Sequence, residues 1–243
     1  MHEIELKNIS LTLNGHRVLE NINETIEKGS LYYLMGTAGS GKSSFLKVIN
    51  GLFMEIEGTV IAGGENVYDL SPKSMLEYHK KNSFVFQNSA LINNMTILEN
   101  LSLFYNYHTS LSQEEIIEKI NPYMDLFSIE RNKLYERPNF LSTGQRMLFN
   151  IIRALLEDCD TLFWDEPISN LDQVERNKVK KIIKEKSRQG KTIILVTNDW
   201  EFGLSIAHNV GVLHNGRLIH SDSPEKILKS KDPVIKSLIA KEG

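Results

Sequence analysis

The chain has 243 residues, 41% of them hydrophobic, enough to bury a sizeable core as one domain with an inserted or flanking subdomain. Its 28 Lys and Arg against 31 Asp and Glu give a formal net charge of -3, which argues against a broad nucleic-acid footprint. The single cysteine, Cys159, excludes an intrachain disulfide, and no apolar run reaches the roughly 18 residues that suggest a membrane span.

In chain order, "HEIELKNISLTLNG" alternates apolar residues at Ile4, Leu6, Leu11 and Leu13 before a turn at Gly15, the pattern of a half-buried strand. "SLYYLMG" reads as a buried strand ending at Gly36, and "KSSFLKVINGL" as a helix with Phe45, Leu46 and Ile49 on one side and Gly51 near its end. "GTVIAGG" and "NSFVFQN" are further strands, separated by a polar, helix-like segment containing Met75 and Leu76. From about 93 to 140 the strand pattern vanishes: "TILENLSLFYNY" and "SQEEIIEKINPYMDLFSI" have helical spacing, the second interrupted by Pro122. This stretch is expected to be a helical insertion within a single domain spanning 1–243. Strands return in "TLFWD", "TIILV" and "NVGVLH", separated by periodic helices over 144–157 and 173–188, an order that implies an α/β core with parallel strands. Cys159, in "LLEDCDTLFWDE", reads as a small buried thiol.

The most informative pattern is Gly36-Thr37-Ala38-Gly39-Ser40-Gly41-Lys42-Ser43, which fits G-x-x-x-x-G-K-[ST] and lies between a strand and an amphipathic helix that continues through Ser44. The glycines let backbone turn closely around phosphate oxygens, with helix-terminal N–H groups aimed at them. Lys42 supplies charge to the β and γ phosphates, and Ser43 the hydroxyl expected to reach Mg²⁺. A second acidic group closes "LFWDE": Asp165 is expected at the Mg²⁺ hydration shell and Glu166 at the attacking water. Metal binding favours an ionised oxygen, whereas nucleophile activation needs an acceptor aimed at water. Between them, in "NFLSTGQRMLFNIIRALL", Ser142 can cap the following helix or accept a phosphate contact, and Gly144 permits close approach at the helix N-terminus. Met147, Leu148, Ile151, Ile152 and Leu155 then form a stripe expected to face the core.

This ordered set resembles the nucleotide-binding subunit of the ATP-binding cassette transporter family: "GTAGSGKS" at 36–43, Gln87 in "FVFQN", "LSTGQ" at 141–145, "LFWDE" at 162–166 and "SNLD" at 169–172. The resemblance implies a P-loop NTPase core of α/β class with an N-terminal β subdomain and an inserted helical subdomain. It implies ATP and Mg²⁺ as cofactors, and a head-to-tail dimer with a second copy of the chain. In that dimer ATP lies between one copy's phosphate loop and Ser142, Gly144 and Gln145 of the other, with Asp172 beside the opposite site. Gln87 takes the place of the family's link between γ-phosphate, metal and an integral membrane permease.

Three departures stand out. "LTLNGHRVL" offers no aromatic ring for adenine, leaving Leu13 or Val18 for apolar contact, and Thr143 replaces the commoner glycine of "LSGGQ". In "LVTNDW" the family's usual His is Asn198, which donates a hydrogen bond but does not titrate near neutral pH. Glu166, Gln87 and Asn198 are therefore expected to share catalysis, with slowed hydrolysis.

"FVFQNSALINNMTILENLSLFY" and "DPVIKSLIAKEG" resemble the ATPase of bacterial maintenance-of-lipid-asymmetry systems. This implies phospholipid cargo, a periplasmic lipid-binding subunit and a place on the cytoplasmic face of the inner membrane. An amino-acid or ion transporter subunit is the nearest alternative, and a non-transport regulatory ATPase the competing class. Phe104, Tyr105 and Tyr107 are expected to pack the helical subdomain, with any exposed member free to meet a permease.

Overall fold

The computed structural model describes residues 3–240. The N-terminal alternation builds a hairpin of β1 (Ile4–Leu13) and β2 (His16–Ile26), turning through Asn14 and Gly15, both at positive φ. The alternation slips along both strands. Asn8 and Asn21 adopt positive φ, 52° and 47°, and the pairing register shifts after Leu6 and after Ile9. Ile4 and Leu6 face the core before the slip, Ile9 and Leu11 after it, as β-bulges allow. This is why β2 escapes a simple period-two reading.

β3 (Leu31–Gly36) leads through the glycine-rich loop into α1 (Lys42–Ile49); β4 (Glu57–Ala62) and β5 (Glu65–Asn66) then complete a sheet of order β2-β1-β4-β5. α2 (Pro72–Lys80), capped by Ser71 with proline in its first turn, precedes β6 (Asn82–Val85). α3 (Ile97–His108) and α4 (Gln113–Phe127) follow, each opened by a reciprocal capping box, Thr96 with Glu99 and Ser112 with Glu115. Short 3₁₀ turns at Arg131–Tyr135 and Pro138–Phe140 lead to α5 (Thr143–Leu156).

Pro122 does not interrupt α4, contrary to the sequence expectation. Proline forfeits one i→i−4 bond, that to the Glu118 carbonyl, but Pro122 and Glu118 are both exposed residues, on the face of the helix where solvent can satisfy a released carbonyl. Burial of Ile116, Ile120, Met124 and Phe127 along the opposite stripe holds the helix through the defect.

β7 (Thr161–Asp165), α6 (Gln173–Arg188), β8 (Thr192–Val196), α7 (Trp200–Leu204), β9 (Asn209–His214), β10 (Arg217–Asp222), α8 (Pro224–Leu228) and α9 (Pro233–Ile239) complete the described chain. The second sheet has order β10-β9-β3-β8-β7-β6, parallel except for the β9–β10 edge pair. Strands β3, β7 and β8 are buried at every position, as befits a parallel sheet covered on both faces. Alternate residues feed separate cores: Ile193 and Leu195 join the cluster with α3–α6, whereas Ile194 and Val196 join the one with α1 and the β1 sheet. The core stripe expected from Met147 to Leu155 is buried throughout. Among the described residues no helix is long and apolar enough to cross a membrane.

Candidate functional site

The parallel strands β3, β7 and β8 end together, and residues just beyond their carboxyl ends line a cavity of about 310 Å³. Crevices at this end of an α/β sheet are where ligands bind. Ala38, Gly39, Gly41, Lys42, Ser43, Ser44, Gln87, Asp165, Glu166, Val196 and Asn198 come together there, with Val18 from β2.

The loop itself divides into two kinds of residue. Gly41 is the N-cap of α1 at φ 104°, with no side-chain cap, so the first N–H groups of α1 are left to an anion. Gly36, Thr37 and Ser40 do not line the cavity; they shape its wall. A Cβ on Gly36 would stand 2.2 Å from the Leu213 carbonyl oxygen, so this glycine serves contact with β9 rather than approach to phosphate. Lys42 Nζ donates to the carbonyls of Gly36 at 2.7 Å and Thr37 at 3.0 Å, bracing the loop with its own cation. Burial lowers the pKa of Lys42, opposed by the negative charge of Glu166 and then of Asp165.

Asp165 is 3% exposed and its Oδ1 has no hydrogen-bond partner among the described residues. Burial raises its pKa; the Ser43 hydroxyl, then Lys47 and Lys42, favour the ionised form. A buried carboxylate with one orphaned oxygen beside a serine hydroxyl is an oxygen donor set suited to Mg²⁺. Glu166, 7% exposed, sits at φ 51° in the left-handed region, where a non-glycine residue stores strain. Its own N–H donates to Val196 O at 2.9 Å. Burial raises its carboxyl pKa, and the backbone N–H of Asn198, followed by Lys42, pulls it down. The support Asn198 gives the acid is thus a peptide N–H, which any residue but proline would supply, while its carboxamide is exposed.

The remaining expected residues lie outside this cavity. Ser142 Oγ accepts from Gln145 N–H and Gln145 Oε1 from Ser142 N–H, both at 3.1 Å, a capping box on α5. Asp172 and Glu175 make the same box on α6. Gly144 permits a close approach, but to the chain's own backbone: a Cβ there would stand 2.7 Å from Asn170 O. Gln87 joins the two regions, since it also lines a second cavity with Thr143, Arg146 and Asn170. Leu13 is absent from the nucleotide-side cavity and packs against the N-terminal core, leaving Val18 as its apolar edge.

Of the insertion's aromatics, Tyr105 is buried and donates to Leu156 O, while Tyr107 is 80% exposed. Phe104 and Tyr107 line an open, mostly apolar groove with Leu103, His108, Arg153 and Glu157. Arg153 and Asn150 on α5 donate to the carbonyls of Ala90 and Phe86, both at 2.9 Å, holding the loop around Gln87. Both lie within the helical pattern that sequence reading treated only as core, and nothing in that pattern separates a buried Asn that holds a loop from one that packs. Cys159 is buried, its thiol pushed up to about 12, chiefly by that burial.

Comparison with known proteins gives a consistent result. A family model described as ABC transporter matches residues 19–169. The methionine import ATP-binding protein MetN 1 of Enterococcus faecalis is 32% identical over 243 residues, covering 97% of this chain and 67% of that protein. The histidine/lysine/arginine/ornithine transport ATP-binding protein HisP of Salmonella typhimurium is 31% identical, covering 88% of this chain and 86% of that protein. The ATP-binding cassette MJ0796, solved as a dimer in a post-hydrolysis state bound to ADP and Pi, superposes with a TM-score of 0.83. It is 28% identical and covers 91% of this chain and 98% of that one.

Proposed function

The chain belongs to the ABC transporter family, and from that premise we propose that it is the ATP-hydrolysing subunit of an amino-acid importer. One observation carries the hydrolytic reading: an uncapped helix N-terminus, a buried lysine, a Ser43–Asp165 pair and a buried, strained Glu166 converge on one cavity. Such a site binds a polyphosphate at one end and presents an acceptor to water at the other.

In this reading Lys42 and the α1 N–H groups hold the β and γ phosphates of ATP. Ser43, Asp165 and Gln87 would hold Mg²⁺, which when bound would offset phosphate charge. Glu166 accepts the proton of the attacking water, kept in place by backbone from Val196 to Asn198. Ser142, Gly144, Gln145 and Asp172, which do not line the cavity of their own chain, act on the nucleotide of a second copy. A head-to-tail dimer has that consequence, and the dimeric state of the MJ0796 cassette supports it. The groove at Phe104 and Tyr107 receives an integral membrane permease, which would hold the chain at the cytoplasmic face of the membrane.

The lipid cargo and periplasmic lipid-binding subunit expected from sequence find no support among these relatives. The names of the methionine and basic amino-acid proteins favour the amino-acid alternative. The test is reconstitution of the chain with its co-purified membrane partners, measuring ATP hydrolysis against a panel of free amino acids, each with the partner binding protein, and against phospholipid vesicles. Stimulation by an amino acid is expected. Stimulation by phospholipid alone would overturn the cargo reading while leaving the ATPase standing.

A further inference from the structure

Beyond the residues that line the cavity, a buried tyrosine reaches the segment that holds its acid. β8 ends at Val196, so the next carbonyl, Thr197 O, lies past the strand pairing in a residue only 1% exposed. A buried carbonyl in that position requires a donor. Tyr33, on the adjacent strand β3 and itself 1% exposed, supplies it: its hydroxyl donates to Thr197 O at 3.0 Å.

The tyrosine fits because α7 makes room for it. A Cβ on Gly203 would stand 2.4 Å from Tyr33 Cε1 and 2.5 Å from Cζ, so the ring occupies space that only glycine at 203 leaves open. α7 is tied to the same segment, for its N-cap Asp199 accepts from Phe202 N–H at 2.8 Å and donates its own N–H to Thr197 Oγ1 at 3.2 Å. Three consecutive residues therefore converge on one acid. Val196 O receives the Glu166 N–H at 2.9 Å, Thr197 O is held by Tyr33, and the peptide that Tyr33 holds carries the Asn198 N–H, which faces the Glu166 carboxylate.

We propose that Tyr33 is a positioning residue for Glu166: its hydroxyl fixes the Thr197–Asn198 peptide plane, so that backbone holds the acid where a side chain at 198 is not needed to do so. The inference rests on the assignment of Glu166 as acceptor for the attacking water. Glu166 adopts a left-handed backbone that must be held by its surroundings. Ser169 holds its carbonyl, donating from its hydroxyl at 2.8 Å and its N–H at 3.2 Å, while Val196 to Asn198 hold its N–H and its carboxylate. The competing reading, in which Tyr33 only fills the space over Gly203, makes a different prediction for loss of the hydroxyl with the ring retained.

Tyr33→Phe separates the two. In the full-length dimer with saturating MgATP, kcat is expected to fall about tenfold while KM for ATP changes by less than about twofold, because the phosphate loop is untouched. Combined with Glu166→Gln, Tyr33→Phe should lower the residual rate no further, as expected of two residues acting through one group. In nucleotide-free protein, amide exchange at Glu166 and Asn198 should quicken by roughly tenfold while the strand interiors of β3 and β7 keep their protection. Gly203→Ala, which drives the ring off the Thr197 carbonyl with the hydroxyl intact, should reproduce the kcat loss and serves if Tyr33→Phe fails to fold. Unchanged kcat and unchanged exchange in folded Tyr33→Phe would overturn the proposal. So would an equal factor lost in the Glu166→Gln background. If the native dimer hydrolyses no ATP, the hydrolytic assignment fails, and the exchange measurement alone still decides whether Tyr33 holds this peptide.

Discussion

Lys42→Ala probes the phosphate site at the point where loop, helix and acids meet. Lys42 is 8% exposed, and its ammonium donates to the carbonyls of Gly36 and Thr37 and is attracted by Glu166 and Asp165. A hydrogen bond to a charged group contributes about 1.5–3 kcal/mol, which corresponds to roughly 10–150-fold in the dissociation constant of MgATP. The upper half of that range is expected, because the substitution also removes a cation that favours the ionised forms of two buried carboxylates, Glu166 and Asp165, beside an anionic ligand. Loss of the two internal bonds acts in the same direction, because freeing the Gly36 and Thr37 carbonyls loosens a loop that must be ordered around phosphate. Isothermal titration with MgATP measures the affinity, and a thermal melt checks the fold. A folded variant that binds MgATP within about twofold of the native chain would refute the phosphate assignment and this reasoning with it.

Gly144→Ala places a Cβ 2.7 Å from Asn170 O. Overpacking of about 1–3 kcal/mol exceeds the gain of at most about 1 kcal/mol from alanine's helix preference, so Tm should fall by roughly 2–6 °C, with MgATP affinity of the monomer nearly unchanged. An unchanged or raised Tm would show that the Asn170 loop yields. Asn198→Ala retains the backbone N–H, so single-turnover release of γ-phosphate should slow by less than about fivefold; a greater loss would assign the chemistry to the carboxamide. Burial raises the Glu157 pKa above its ordinary 4.5, so the folded chain keeps a proton there that the unfolded chain releases. Its contribution to stability is present below pH 4.5 and is lost as pH rises through the folded pKa, so the Tm of Glu157→Gln relative to native should climb with pH across that window. A pH-independent difference would contradict it.

Much of the core was legible because its signals are local. β3, β7 and β8 are short apolar runs buried on both faces, and the loop at 36–43 has spacing that few other sequences need. β2 was not legible, since the slip at Asn21 destroys the period, nor was β10, whose residues are mostly exposed or half-buried. Pro122 misled because proline's cost depends on whether the released carbonyl reaches water, a tertiary fact. The site residues were visible as types, but their partners were not: Gly36 against Leu213, Gly144 against Asn170 and Tyr33 against Thr197 each join segments distant in sequence. Cargo is silent for a different reason. The cavities that line up with ATP chemistry among the described residues present phosphate- and metal-type donors, which carry no signature of a cargo.

The sequence left Ser142 two roles, helix cap or phosphate contact, and the structure shows that they are compatible. Its Oγ accepts from Gln145 N–H at 3.1 Å, which occupies one lone pair. A hydroxyl retains one O–H donor and a second lone pair, and the donor is what a phosphate oxygen needs. Capping also fixes the Ser142 rotamer, and Gln145 closes the box from the other side, so the donor is presented from an ordered, exposed helix start. Asp172 shows the same economy, since Oδ1 accepts from Glu175 N–H at 2.8 Å and leaves Oδ2 for a neighbour. Neither residue needs to abandon its own helix to meet a second copy. In the proposed head-to-tail dimer, closure on ATP therefore requires no rearrangement at these two caps, and the ordering cost of the contact is met when α5 and α6 fold.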